Sequence, residues 1–216
     1  MKYMLKNHME SVRYFLALVL IYIMPIVITF WAIIHAFSDY WRRVRPIFAY
    51  TSAGVCIGIV SLFCFKYQDT LLGVNLGNNL FVFLIGMAIY ILSWALWRPV
   101  KHYLDFKTFA GVPEVTDEKI DLIVDGPFKM VRHPRYLMVW IGVVGWCLMA
   151  NYSGSYAVGI ASMIGLFMIV GLEERDLKQR FGEQYTIYQE NVPQLIPSVA
   201  GFTAFISENF AKRKAR

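Results

Sequence analysis

Arg132, His133 and Pro134 stand just ahead of one apolar stretch, and Glu173 and Glu174 close the next. Ionisable side chains at a bilayer's edge are costly, so such clusters mark functional sites. Pro134 suits the first turn of a helix, where its missing N–H costs nothing. Arg132 and His133 then lie just outside the helix start, beside free backbone N–H groups and the positive end of the dipole. A carboxylate or a phosphate would be stabilised there, and Tyr136 adds a hydroxyl within one turn. The same spacing fits two arginine anchors, Arg132 and Arg135, with His133 as a cap. On a continuing helix Glu173 and Glu174 point about 100° apart. One can face inward while the other meets solvent or pairs with Lys178. An inward Glu would bind an ammonium group or ribose hydroxyls; a solvated helix exit is the plainer alternative. The histidines His8, His35, His102 and His133 are scattered and show no metal-ligand spacing.

These residues need helices to hold them. Of 216 residues, 57% are hydrophobic and 17% charged. A soluble chain has about 45–50% apolar and about 25% charged residues, so this composition, with a mean hydropathy of +0.48, points to the membrane. Five apolar stretches appear: Tyr14–Phe37, Ile47–Phe65, Leu80–Trp97, Tyr136–Ala150 and Ser155–Leu172. Crossing the hydrocarbon takes about 20 apolar residues. The first three stretches are long enough; the fourth is short, but the tight link around Asn151–Gly154 makes it half of a helical hairpin. Pro25 should kink the first. That stretch is too long for a removable signal peptide.

Placing the N-terminus outside leaves 17 Lys and Arg in inner segments and 4 in outer ones. The positive-inside rule then puts the C-terminus and both clusters in the cytosol. The loop after Arg98 turns acidic through Glu114, Asp117, Glu118, Asp121 and Asp125, and Ile120–Val124 forms an apolar patch that packs on the site. Beyond Glu173 the chain leaves the membrane as a helix, with Leu177, Phe181, Tyr185 and Tyr188 on one face. Gly182 weakens that helix, and Pro193 and Pro197 end it. The basic tail rests on lipid headgroups.

Glycines 142, 145, 159 and 165 fit close helix contacts, with a glycine-lined cofactor wall as the other reading. Trp94, Trp97 and Trp140 sit at the cytosolic level, where they can line a pocket. Cys56, Cys64 and Cys147 lie in apolar spans and act as small hydrophobes. No Rossmann, Walker or Ser-His-Asp pattern occurs, and no basic run interleaved with aromatics points to nucleic acid.

The segments GPFKMVRHPRY and EERDLKQRFGEQYTIYQENVPQLIP, within residues 121–197, resemble the signature of the isoprenylcysteine carboxyl methyltransferase and phospholipid methyltransferase superfamily. The resemblance implies an integral membrane enzyme that uses S-adenosylmethionine. It places Arg132 and Glu173 in the catalytic machinery. It places His133, Pro134, Tyr136, Leu137, Glu173, Glu174 and Tyr185 around the cofactor, with Tyr185, Tyr188 and Pro193 in the covering tail.

The expected architecture is all-α. A bundle of about five transmembrane helices is capped by a cytosolic C-terminal helix and loop. Residues 1–97 form three N-terminal membrane helices, 98–197 the cofactor-binding catalytic region, and 198–216 a basic tail. The expected reaction moves a methyl group to a lipophilic or lipidated acceptor, first an isoprenylcysteine-type carboxylate, with a phospholipid amine or a small thiol as alternatives. Membrane lipids are the expected partners. From other classes, a nicotinamide-dependent sterol-type reductase and a non-catalytic lipid-binding protein compete with this reading. No metal is expected.

Overall fold

The computed structural model describes residues 2–116, 118, 120–198, 201–203, 205 and 207. Apart from one isolated antiparallel bridge, Asn75 with Tyr152, the described regular structure is helical.

Helix α1 runs from Lys2 to Ala36, and Pro25 lies inside it without ending it. A short α2 (Ser38–Trp41) turns the chain into α3 (Pro46–Lys66), whose Pro46 occupies the first turn. A second short helix, α4 (Gln68–Leu72), leads to α5 (Leu80–Val100), capped by the Asn79 side chain on the backbone N–H groups of Phe81 and Val82. The connecting loop carries α6 (Phe106–Phe109), α7 (Val112–Val115) and a 3-10 turn at Gly126–Lys129. Then come α8 (Pro134–Ala150), α9 (Ser153–Phe181) and α10 (Glu183–Asn191).

Among the described residues, four helices are long and apolar enough to cross a bilayer: α1 over His8–Ala36, α3, α5 and α9. The 17-residue α8 is shorter, about 25 Å at 1.5 Å per residue. It nevertheless runs between the same two ends of the bundle as its neighbours. At one end, here the far pole, the Asn151 carbonyl accepts from Leu76 N at 3.1 Å and from Arg13 Nη2 at 3.1 Å. Arg13 is fully buried there and donates to the side chains of Asn75 and Asn78. At the other end α8 begins beside α9 and the tail segment. The segments 38–45, 98–116, 120–133 and 173–198 gather at this second end, which the charged clusters occupy.

Why α8 sits where it does follows from its glycines. It packs against α5 more extensively than any other helix pair does. A Cβ on Gly145 would stand 2.6 Å from the Gly86 carbonyl oxygen, and one on Gly86 would stand 2.6 Å from that of Gly145. The two backbones therefore touch, as small residues permit in membranes. Gly142 faces Ser93, Gly159 faces Cys147, and Gly165 faces Ile28. The four glycines thus make close contacts, with α5, α8 and α1. Outward, α3 and α5 present a girdle of exposed Val55, Ile59, Leu62, Phe81 and Ile91. Such a surface suits lipid, in which helices satisfy their own backbone.

One expectation needs correction. Gly182, at φ +55°, breaks the exit helix into α9 and α10 instead of only weakening it. Glu114, in the acidic part of the loop, is buried, at 9% exposed. Asp117 and the basic end of the tail lie outside the described residues.

Candidate active site

The chain supplies the cluster from four places: the end of α1, the start of α8, the last turns of α9, and α10 with its following strap. Pro134 at the first position of α8 sets its start. Arg132 and His133 precede it outside the helix and pair with the strap: Arg132 N donates to Pro193 O at 2.9 Å, and His133 N to Gln194 O at 3.1 Å. Those two N–H groups are therefore taken by the strap.

Arg132 Nε donates to Glu174 Oε1 at 2.8 Å, and its Nη1 to the carbonyls of Gln189, at 3.1 Å, and Val192. His133 Nε2 lies 3.1 Å from Glu174 Oε1, while its Nδ1 lies 3.8 Å from Glu173 Oε1. Gln189 Nε2 completes the shell around Glu174 at 3.3 Å. Glu174 is thereby committed to Arg132, His133 and Gln189, and the expected pairing with Lys178 does not form. Charge-assisted bonds of this kind are about twice as strong as neutral ones.

Glu173 points to a second group. Arg135 Nη2 reaches its Oε2 at 3.5 Å and donates to the Tyr136 hydroxyl at 3.0 Å. The Arg135 guanidinium stacks on the Trp31 ring at 4.4 Å and lies 4.8 Å from the Tyr136 ring. His35 is wholly buried, 3.8 Å from Glu173 Oε2, stacked on Trp31 and without a hydrogen-bond partner at either ring nitrogen. One turn beyond Glu173, Asp176 takes Arg42 and the Ser38 hydroxyl from α2.

Tyr185 is buried with its hydroxyl unpartnered, and its neighbour Tyr188 donates to Phe128 O at 2.6 Å. Burial raises both phenols' pKa, so neither ionises near neutrality. Leu137 stands apart from the charges, packed against the cluster of Met130, Val131, Met138 and Phe205.

Arg132, His133, Tyr136, Glu173 and Glu174 are therefore brought together, with Tyr185 beside them. Sequence reasoning passed over His35, Trp31, Arg42, Asp176 and Gln189. Their only signals were weak: Trp31 and His35 sit four apart on one helix face, as do Arg180 and Asp176.

Next to this cluster lies a cavity of about 590 Å³ walled by α1, α3, α5, α8 and α9. Its lining is apolar and aromatic, including Trp31, Trp94, Trp97 and Trp146, and Arg135 is the charged side chain in the wall. Trp94 and Trp97 thus meet the expectation for a pocket; Trp140 is not among the lining residues. Trp94 is also exposed on the outer face. Helices α3 and α5 flank the cavity with little direct packing between them. The size falls in the ordinary range for ligand pockets, about 300–1,000 Å³.

Fold and cluster together describe a helical membrane protein with a charged cluster beside an apolar cavity. The chain is similar to the isoprenylcysteine and phospholipid methyltransferase superfamily of membrane enzymes. A phospholipid methyltransferase family model matches residues 80–184. A methanethiol S-methyltransferase of Pseudomonas deceptionensis is 27% identical over 81% of this chain and 71% of its own length. One from Crocosphaera subtropica is 27% identical over 76% of this chain and 67% of its own. The protein-S-isoprenylcysteine O-methyltransferase B of Arabidopsis thaliana is 34% identical over 38% of this chain and 43% of its own. No solved structure matches the chain.

Proposed function

We propose that the protein transfers a methyl group from S-adenosylmethionine to an apolar acceptor held in the 590 Å³ cavity. The observation that carries this reading is that the charged cluster abuts the apolar cavity. Arg135 and Tyr136 belong both to the cavity wall and to the charged cluster.

The donor carries an ammonium, a carboxylate, ribose hydroxyls and a sulfonium. Glu173 and Glu174 suit the ammonium and hydroxyls; Arg132 and His133 suit the carboxylate. Pro134 and Tyr136 shape the floor, and Tyr185 covers the pocket with a buried hydroxyl that has no partner of its own. Buried polar atoms without partners are rare, and each calls for an explanation; a polar ligand supplies one here. Displacement at a methyl carbon depends on alignment and on water exclusion more than on a strong acid or base. The aromatic cavity supplies the dry surroundings.

In this reading five helices cross the bilayer, the C-terminus and charged cluster face the cytosol, and the acceptor arrives sideways between α3 and α5. The acceptor is a thiol in the first place, because the relatives named for methanethiol match most of the chain. An isoprenylcysteine-type carboxylate stands second, favoured by the Arg135 guanidinium in the cavity wall. The test incubates purified protein in nanodiscs with labelled methyl donor and, separately, a series of alkyl thiols and a farnesylated cysteine carboxylate. Labelled thioether supports the thiol; labelled methyl ester supports the carboxylate; no transfer to any acceptor refutes the methyl-transfer reading.

A further inference from the structure

The cavity beside the charged cluster is long, and its two ends differ. Its α8 wall is one helix face: Arg135, Val139, Gly142, Val143 and Trp146 follow one another within a turn. From Arg135 to Trp146 the helix climbs eleven residues, about 16 Å at 1.5 Å per residue. On α1 the lining runs from Trp31 back to Ile23, eight residues, or about 12 Å. Helical side chains lean towards the N-terminus of their own helix. The Trp146 indole therefore leans back towards Arg135, and the shorter length describes the usable depth.

Two aromatic rings span the end away from Arg135. Tyr90 of α5 and Trp146 of α8 both line the cavity and meet edge to face, centroids 5.9 Å apart. Trp146 Nε1 donates to Leu16 O at 2.9 Å, which ties the indole to α1. A Cβ on Gly145 would stand 2.7 Å from Tyr90 N, so the pair rises from the seam where the two helix backbones touch. This floor yields only if helices part.

A one-carbon thiol fits such a space poorly. On the scale of a water molecule, about 30 Å³ in the liquid, its two heavy atoms fill about a tenth of 590 Å³. An unbranched chain with C–C bonds of about 1.5 Å advances roughly 1.25 Å per carbon, so a depth of about 12 Å takes about ten carbons.

We infer that the cavity measures the acceptor's tail. The acceptor is an unbranched alkyl thiol of about ten carbons, with its sulfur at the Arg135 end and its terminal methyl on the Tyr90–Trp146 floor. The inference rests on reading this site as a centre of methyl transfer to a thiol. In that reaction the thiol sulfur gains the methyl and its proton leaves to solvent. The sulfonium sulfur keeps the electron pair of the broken bond, and the product is an alkyl methyl thioether. A tail that ends on the floor fixes the sulfur in line with the methyl carbon. A short tail lets the sulfur slide, and a long one pushes it out of line; about 1 Å of misplacement can cost about 100-fold in rate.

The test measures kcat in nanodiscs for ethanethiol, decanethiol and octadecanethiol, with wild type, Tyr90→Ala, Trp146→Ala and Val139→Phe. In the wild type, decanethiol is expected to exceed both others about tenfold or more. Trp146→Ala, and Tyr90→Ala with the bond to Leu16 left intact, lower the floor and raise the octadecanethiol-to-decanethiol ratio about tenfold. Val139→Phe, one turn from Arg135, raises the ethanethiol-to-decanethiol ratio as much. Each thiol partitions into lipid alike for every variant, so the ratios report the cavity. A second readout needs no turnover. Decanethiol with a diazirine at its far end, irradiated in the nanodisc, is expected to label Tyr90 or Trp146, and unlabelled decanethiol to compete. Ratios unchanged in all three variants, or label confined to lipid-facing residues such as the exposed Phe81, overturns the measuring role while leaving methyl transfer intact. Absence of S-adenosylhomocysteine binding in the wild type overturns the methyl-transfer reading, and this inference with it.

Discussion

Arg132 is the residue on which the charged cluster hangs. Its guanidinium serves Glu174 and two carbonyls of the strap, Gln189 and Val192. Removing one partner of a mostly buried ion pair leaves the other charge without compensation, at a cost of about 3–5 kcal/mol. Arg132→Ala is therefore expected to lower thermal stability in detergent by several degrees. Arg132→Ala with Glu174→Gln, which removes both charges, is expected to recover much of that loss; an additive double variant contradicts the pairing. Glu114 gives a pH dependence of opposite sign to that of an ordinary paired acid. Its pKa is raised from 4.5 to about 7. The folded protein therefore holds a proton that the unfolded chain releases in that window. The contribution is fully present below about pH 4.5, falls as pH rises, and is gone above about 7. Melting temperature measured from pH 5 to 8 is expected to fall less in Glu114→Gln than in wild type.

Among the elements, the α5–α8 pair bears most on function, because Ser93 and Gly142 on its seam also line the cavity. Ser93 Oγ donates to Met138 O at 2.7 Å, and Gly86 and Gly145 bring the backbones into contact. Gly145→Ala places a methyl 2.6 Å from a carbonyl oxygen, so the helices must separate. Overpacking of this kind costs about 1–3 kcal/mol. Lower stability together with a changed acceptor preference is the expected result; a variant unchanged in both would show that the seam does not shape the cavity. The helices themselves were legible in the sequence, because apolar length alone specifies them, and the hairpin at Asn151 was legible from its short polar link. The division at Gly182 was less so, since apolar periodicity runs through it: Tyr185 and Tyr188 remain buried in line with Leu177 and Phe181.

At the scale of the whole molecule, two poles carry different chemistry. The far pole buries Arg13 among asparagine side chains and a carbonyl, and the other pole gathers His133, Glu173, Glu174 and Asp176. Charge counting anticipated which segments share an end, because positive residues collect in the loops that stay together. It did not anticipate His35 or Arg42, whose role depends on α1 and α2 meeting α9 across more than a hundred residues, a contact no local pattern announces. Single cysteines at Gly77 and Glu183, one at each pole, are expected to react with an impermeant thiol reagent from opposite sides of sealed vesicles; reaction from one side contradicts the five-crossing arrangement. Donor binding at the converged cluster tests methyl transfer at this site most directly. Calorimetric titration of S-adenosylhomocysteine into the solubilised wild type is predicted to give saturable binding that Glu174→Gln and His133→Ala each weaken at least tenfold, while Asp69→Asn at the far pole leaves it unchanged. Equal affinity in all four proteins would contradict it.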